Sequence, residues 1–387
     1  MNATWWVKPE QLDEDQRSVV ALPMDGSYLV EGPPGSGKSN LLLLRAAYLA
    51  RAGKPDLQIV VFTRVLREFL RSGGEHYPFG SSRIVTLASL LLRVLRHNGL
   101  EIPEVAGSYE SKRKALAAAV LEGLERKKIA KQAQTILLDE AQDYYPEEVD
   151  VLGQLSDRLF AVADSYQQVY THPNPLPKLG EFADKQVRLR FHYRNGPAIC
   201  HAADEIGKAI PGYTQLFPTS MYDEEEFPSS VGLEGFSSLE AVAGKLVERL
   251  RIQLTTYPDE LLGIICPRNR DVDALYNLLE STEIGPQIVR QSFKHGYSPI
   301  DSTSKIVLGT IHGFKGLEFR VCHVAAVESL EALKMARRAA YVATTRAKTA
   351  LYFYSTGDAP GFVEAAVAAA GGPVPPPDFD ALFKGGR

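Results

Sequence analysis

The residues best equipped for chemistry in this chain fall into two short runs. The first is Gly32-Pro33-Pro34-Gly35-Ser36-Gly37-Lys38-Ser39, set between the β-rich Tyr28-Leu29-Val30 and, after Asn40, an apolar helical pattern over Leu41 to Leu49. Its glycines let several backbone N–H groups converge on one anion, and the following helix adds its positive end. Lys38 can neutralise β- and γ-phosphates and the Ser39 hydroxyl can reach a divalent cation. Residues 32–40 therefore read as the cradle of a nucleoside triphosphate with Mg²⁺. The second run, Asp139-Glu140-Ala141-Gln142-Asp143, follows the apolar stretch Thr135 to Leu138. It places two carboxylates at a strand's carboxyl end, where open α/β sheets bind ligands. Asp139 would complete the metal shell with Ser39, and Glu140 would orient and deprotonate the water that attacks the γ-phosphate.

These runs need a scaffold, and the remaining pattern supplies one. The chain has 387 residues, 45% of them apolar and 23% charged, enough for a sizeable core in two or three domains. Strand-like runs recur at Gln58 to Phe62, Leu159 to Val162, Leu261 to Cys266, Lys305 to Leu308 and Val321 to Val327. Helical spacing recurs at Lys112 to Lys131, Asp271 to Leu279 and Leu333 to Lys348. The alternation predicts an α/β fold with mainly parallel sheets. His172-Pro173-Asn174-Pro175-Leu176-Pro177 cannot be regular helix and marks the end of the first half.

The expected division is residues 1–185, with a small basic helical insert at about 100–132, then 186–356, then a Pro/Gly/Ala-rich tail over 357–387. The insert reads either as a solvated helix face or as a phosphate-tracking surface. A net charge of −4 argues against holding nucleic acid by bulk charge alone and leaves a local groove open. Cys200, Cys266 and Cys322 are too dispersed for a zinc site or a disulfide framework. No run reaches the roughly 18 apolar residues of a membrane span. A cytoplasmic protein is expected. A phosphate loop with an acidic strand end would also suit a kinase, a transporter ATPase or a GTPase, although the guanine-reading N-K-x-D is absent.

Further motifs narrow the choice. Asp13-Glu14-Asp15-Gln16-Arg17, Val61-Phe62-Thr63-Arg64, Thr86-Leu87-Ala88-Ser89, Ala163-Asp164-Ser165-Tyr166-Gln167-Gln168-Val169-Tyr170, His192-Tyr193-Arg194-Asn195, Thr310-Ile311-His312-Gly313-Phe314-Lys315-Gly316-Leu317-Glu318-Phe319 and Tyr341-Val342-Ala343-Thr344-Thr345-Arg346-Ala347 come in that order. Together with the two runs above, they resemble the motifs of superfamily 1 helicases, specifically the UvrD/Rep-like branch. The resemblance implies two tandem RecA-like P-loop NTPase domains with the ATP cleft between them. It implies that Gln16 reads adenine, Gln167 senses the γ-phosphate, Gly316 lines the nucleotide site and Glu318 meets the ribose. Arg194 and Arg346 would be the arginines that clamp the transition state from the far side, a task positive charge is suited to. Phe62, Thr63, Thr86, Ser89, Tyr170, His172, Thr310 and His312 become the expected contacts to single-stranded DNA, by stacking or backbone grip. RNA is not excluded. The wording Lys315-Gly316-Leu317-Glu318-Phe319 implies the 3′→5′ branch.

The chain also departs from that pattern. It reads Thr171-His172 where well-known members carry tryptophan, Asn40 where they have arginine and Ala88 where they have histidine, and Met335-Ala336 replaces an acidic pair. About 45 residues separate Ser89 from Thr135 and about 110 separate Arg194 from Thr310, too few for the large accessory subdomains of full helicases. The expected activity is therefore an ATP-dependent single-stranded DNA translocase or helicase of minimal form. The alternative is a nucleic-acid-stimulated ATPase subunit that regulates a partner such as a nuclease without unwinding by itself.

Overall fold

The computed structural model describes residues 9–72, 77–167, 173–292, 294–301 and 303–371, so Tyr170 and His172 lie outside the described residues. The first sheet consists of β1 (Tyr28–Glu31), β2 (Leu57–Val61), β3 (Ile84–Thr86), β4 (Ala133–Leu138), β5 (Ser156–Ala163) and β6 (Lys185–Arg188). All its pairings are parallel, in the order β3-β2-β4-β5-β1-β6. Its helices are α1 (Glu14–Val20), α2 (Lys38–Arg51), α3 (Arg64–Ser72), α4 (Leu87–His97), α5 (Tyr109–Glu125), α6 (Pro146–Leu155) and α7 (Leu176–Phe182). Every residue of β2 is buried, as expected of a parallel strand covered on both faces. Alternate side chains settle the layers. Val30, Ile59, Val61 and Val162 pack with α2 and α3, while Leu29, Val60, Leu138 and Ala161 pack with α4, α5 and α6.

The second sheet consists of β7 (Ser230–Gly235), β8 (Leu262–Cys266), β9 (Ile288–Ser292), β10 (Gly296–Tyr297), β11 (Ile306–Thr310), β12 (Phe319–Val324) and β13 (Ala347–Ser355). Its order is β10-β9-β11-β8-β12-β13-β7, parallel throughout except for the β9–β10 hairpin. Helices α9 (Leu239–Thr256) and α10 (Asn269–Leu279) cover one face, and α8 (Pro197–Gly207), α11 (Ala336–Thr344) and α12 (Gly361–Ala370) the other. Two tandem RecA-like domains result, and one apolar cluster runs from Leu41 and Leu66 of the first to Phe314 and Leu317 of the second. At this seam Gly316 has φ +81°, and a Cβ there would stand 2.6 Å from Leu66 Cδ2. Only glycine satisfies both the left-handed backbone and the close approach of α3.

Four sequence expectations shift. β6 hydrogen-bonds to β1, so the first sheet runs to Arg188, past the expected boundary at 185. The helical spacing over Leu333 to Lys348 splits: α11 stops at Thr344 and Ala347 opens β13, because a buried strand and a buried helix share the same apolar run. The strand expected to reach Val327 ends at Val324, and a 3₁₀ turn follows. Part of the expected tail is folded. α12 packs on α8 with Val363 and Ala366 fully buried, a burial worth about 1.5–3 kcal/mol for the valine alone. Residues 372–387 lie outside the described residues. All three cysteines are buried and unbridged. Among the described residues no helix is long and apolar enough to cross a membrane.

Candidate active site

Three neighbouring strands project the site from the first sheet. β1 leads into the phosphate loop, β4 into Asp139 and Glu140, and β5, lying between them, into Asp164 and Gln167. Gly35 and Gly37 take φ of +79° and +81°, which turns the loop tightly into the N-terminus of α2. Lys38 Nζ donates to the carbonyls of Gly32 at 2.8 Å and Pro33 at 2.7 Å and stands 3.6 Å from Asp164 Oδ2. Burial lowers its ammonium's pKa, against the pull of Asp164, Glu140 and Asp139. Lys38 is thus held by the loop it would leave to meet a phosphate.

The carboxylates differ in their surroundings and so in their charge. Burial pushes Asp139 up to about 7, reinforced by Glu140 beside it. Its Oδ1 accepts the Glu140 N–H at 2.9 Å, and its buried Oδ2 has no hydrogen-bond partner. Ser39 lies beside this carboxyl and acts on it. An orphaned carboxylate oxygen next to a loop hydroxyl suits Mg²⁺, which takes one or two protein oxygens together with substrate phosphates. The residues present therefore fit the expected metal. For Glu140, burial alone would raise the pKa, but Lys315, Arg346 and Lys38 outweigh it and hold the carboxyl below its ordinary value. Its backbone is left-handed, φ 49° and ψ 45°, a costly conformation for a side-chain-bearing residue and one that recurs at working sites. Gln142 Nε2 donates to Glu140 Oε2 at 2.5 Å while Gln142 Oε1 accepts the Asp164 N–H at 2.9 Å, which ties the two acidic loops together.

The second domain meets this surface with positive charge. Arg346, at the amino end of β13, is 1% exposed. It donates to its own domain's Val342 and Leu317 carbonyls at 3.2 and 3.0 Å and to Gln167 Oε1 at 2.6 Å across the cleft. Lys315 is fully buried, pairs with Asp143 and donates to the Gln167 carbonyl at 2.5 Å. The motifs alone give no role to Lys315, Asp143, Gln142 or Asp164, although each lies inside one; only the fold brings them together. Lys315→Met should destabilise the protein by about 3–5 kcal/mol, because it strands a buried carboxylate. Burial already raises Asp143 to about 6, so this loss should fade in urea titrations as pH falls below about 6 and the carboxyl takes a proton. A loss that is small and flat with pH would show that the pair contributes little.

Arg194 comes from the connector between domains. The Tyr193 N–H donates to the Gly35 carbonyl at 3.2 Å, and Asn195 Nδ2 donates to the carbonyls of Thr345 and Ala347 at 3.2 and 2.6 Å. The connector therefore touches both the phosphate loop and the Arg346 turn. The Arg194 guanidinium pairs with Glu318, and burial lowers it to about 10. These groups line a cleft with about 430 Å³ of empty volume, which includes Gly316, Glu318 and Asn40. Beyond the Arg194–Glu318 pair lies a space of about 770 Å³ flanked by Tyr193, Tyr222 and Phe227, aromatic rings suited to a base. Gln16 lies beside the phosphate loop. It is buried against the loop, with Oε1 accepting the Asp13 N–H and Nε2 donating to the Ser36 carbonyl, both at 3.1 Å. The amide keeps a second Nε2 hydrogen that neither of these bonds uses.

Residues 305–354 match the UvrD-like helicase C-terminal domain. The matched segment contains Gly316, Glu318 and Arg346, which line the cleft, and Lys315, which pairs with Asp143 beside it. No curated protein matches the chain. Among solved structures, the PRRSV helicase is 16% identical with a TM-score of 0.41, over 88% of this chain and 54% of that one. The Arterivirus nonstructural protein 10 helicase is 16% identical with a TM-score of 0.38, over 89% and 62%. The C-terminal domain of a possible DNA helicase from Lactobacillus plantarum WCFS1 is 20% identical with a TM-score of 0.32, over 46% and 96%. This chain spans little more than half the length of the viral helicases it resembles.

The expected nucleic-acid contacts gather on the strands' carboxyl rims. Phe62 and Thr63 end β2, Thr86 ends the adjoining β3 with Val61 as its register partner, and Thr310 ends β11. Phe62 is half-buried, its ring edge-on to Tyr144 at 5.4 Å and beneath the Arg113 guanidinium at 5.0 Å. The hydroxyls cap local structure: Thr63 Oγ1 accepts from Leu66 N–H, Thr310 Oγ1 accepts from Gly313 N–H, and Thr86 and Ser89 bond to each other at 2.8 Å. An accepting hydroxyl still has its own proton to donate to a phosphate. Burial, with Lys315 nearby, holds His312 near 4, so it is neutral at pH 7 and offers a ring rather than a charge. The basic insert is largely neutralised, since Arg113, Lys114, Arg126 and Lys131 pair with Glu148, Glu110, Glu122 and Asp157.

Proposed function

We propose that the chain is an ATP-dependent translocase on single-stranded DNA, moving 3′→5′, in which hydrolysis between the two domains drives stepping. The observation that carries this reading is that Arg346 and Lys315 of the second domain both end on Gln167 of the first, at the edge of the phosphate cleft. ATP phosphates enter the Gly32–Ser39 cradle and draw Lys38 from the loop carbonyls. Asp139 and Ser39 would hold Mg²⁺, whose charge offsets that of the β- and γ-phosphates when bound. Glu140, kept ionised by its cationic neighbours, takes the proton of the attacking water. Arg194 and Arg346 stabilise the charge that develops on the transferred phosphoryl group, and Gln167 links that event to the interface. Loss of the γ-phosphate then loosens the contacts that hold the domains together, which changes the grip on the strand at the β2, β3 and β11 rims.

A second reading is favoured by one feature. Between β3 and β4 the chain holds α4 and α5, and between Arg194 and Thr310 it holds elements of the second domain itself, so among the described residues neither stretch inserts a separate subdomain. A nucleic-acid-stimulated ATPase that regulates a partner such as a nuclease, without unwinding, would look the same. ATP turnover should rise on adding single-stranded DNA and vanish in Lys38→Ala. Strand displacement on 3′-tailed against 5′-tailed duplexes separates the readings: displacement from the 3′ tail supports a helicase, and stimulation without displacement supports the regulatory form. Turnover indifferent to DNA and RNA alike would sink both.

A further inference from the structure

An ion pair stands where the two spaces of the cleft meet. Arg194 and Glu318 line both the phosphate cleft, beside Lys38 and Ser39, and the larger space flanked by Tyr193, Tyr222 and Phe227. When a nucleoside triphosphate has its phosphates in the first space and its base in the second, its sugar must lie along this shared wall. There the Arg194 guanidinium bonds to Glu318 Oε1, the two side chains 13% and 14% exposed. The arginine assigned to the transferred phosphoryl group is thus held on the sugar side of the cleft.

The pair is not self-sufficient. Arg194 Nε is buried with no hydrogen-bond partner among the described residues, an unmet donor that a phosphate oxygen would satisfy. Glu318 Oε2 stands 3.8 Å from the ammonium of Lys348, a buried second cation that lines the base space. Glu318 therefore keeps a counter-charge if Arg194 leaves, and Arg194 gains one from the phosphates, so neither charge is stranded in the cleft.

We propose that the Arg194–Glu318 pair is a gate worked by the sugar: the ribose hydroxyls of the bound nucleotide donate to Glu318 in place of Arg194, and the freed guanidinium turns to the γ-phosphate. This deepens the ATP-driven reading above, on which it rests, by giving it a sugar specificity. Ribonucleoside triphosphates release the arginine, whereas a triphosphate without sugar hydroxyls binds and leaves it held. The exchange replaces one charge-assisted hydrogen bond by others and makes hydrolysis wait for the correct sugar.

The test uses the full chain, Glu318→Gln, Arg194→Ala and the double variant, with melting midpoints to confirm folding. The first measurement is direct titration with inorganic tripolyphosphate, which has no sugar. Glu318→Gln should bind it about 5- to 150-fold more tightly than the parent, the usual span of a coupling between linked events, because a neutral amide no longer holds the arginine. That gain should vanish in the double variant, which should match Arg194→Ala. The second measurement needs no variant: the parent should turn over 2′,3′-dideoxy-ATP at least about tenfold more slowly than ATP, a part of what a transition-state arginine supplies, with a smaller change in affinity. In Glu318→Gln the two nucleotides should be hydrolysed at similar rates. Parent protein that hydrolyses neither nucleotide overturns the motor reading, and the tripolyphosphate titration then judges the gate by itself. Equal turnover of ATP and dideoxy-ATP by the parent overturns the gate alone, as does a tripolyphosphate affinity that Glu318→Gln leaves unchanged or raises just as much without Arg194.

Discussion

Arg346→Ala is expected to lower ATP turnover by about 10³-fold or more while changing nucleotide affinity by less than about tenfold, since a transition-state arginine acts on charge that the ground state lacks. The geometry favours a split of this kind. Two of the arginine's bonds, to Val342 and Leu317, anchor it to its own domain, and the third reaches Gln167 across the cleft. None of the three reaches the loop of residues 32–39. Arg346→Lys should be nearly as slow, because an ammonium cannot hold both carbonyls and the Gln167 oxygen in one plane. Steady-state turnover beside a direct nucleotide-binding titration decides the matter, with a melting curve to show that the variants fold. Unchanged turnover would refute the role.

Glu140→Gln should retain ATP and lose about 10²- to 10⁴-fold in turnover, the usual worth of a positioned base. The amide is nearly isosteric and leaves the left-handed turn at residue 140 and the Asp139–Glu140 backbone bond in place. What disappears is the negative oxygen that Lys315, Arg346 and Lys38 keep ionised. Lys38→Ala, by contrast, removes charge from the phosphates themselves and should cost binding as well as hydrolysis. If both variants lost ATP affinity equally, the assignment of Glu140 as base would fail.

The phosphate loop and the acidic strand end are legible in the residues alone because their requirements are local. A tight loop needs glycine at positive φ, a helix N-terminus must follow it, and a β-rich apolar run must precede it. The β/α order is legible for the same reason, since periodicity reports which side chains are buried. The helix expected over Leu333 to Lys348 fails where that rule loses force. Tyr341 to Ala343 and Ala347 to Leu351 are almost wholly buried, the first in a helix and the second in a strand, so neither period shows. The last helix, α12, is hidden by an alanine-rich composition that says little until a partner, here α8, is in place.

Sequence alone therefore determined the two-domain α/β plan and singled out the runs at 32–39 and 139–140 that come to line the candidate cleft. Tertiary structure decided what those residues hold. Lys315 and Asp143 are 172 positions apart, and Arg346 and Gln167 are 179 apart. No local rule links residues so distant; their pairing follows from two sheets packing through one apolar seam at Leu66 and Gly316. Placement at that seam, rather than residue type, sets the charges: Lys315, Arg346 and Lys38 keep Glu140 ionised against its burial, Asp139 is left an open oxygen, and burial holds His312 neutral.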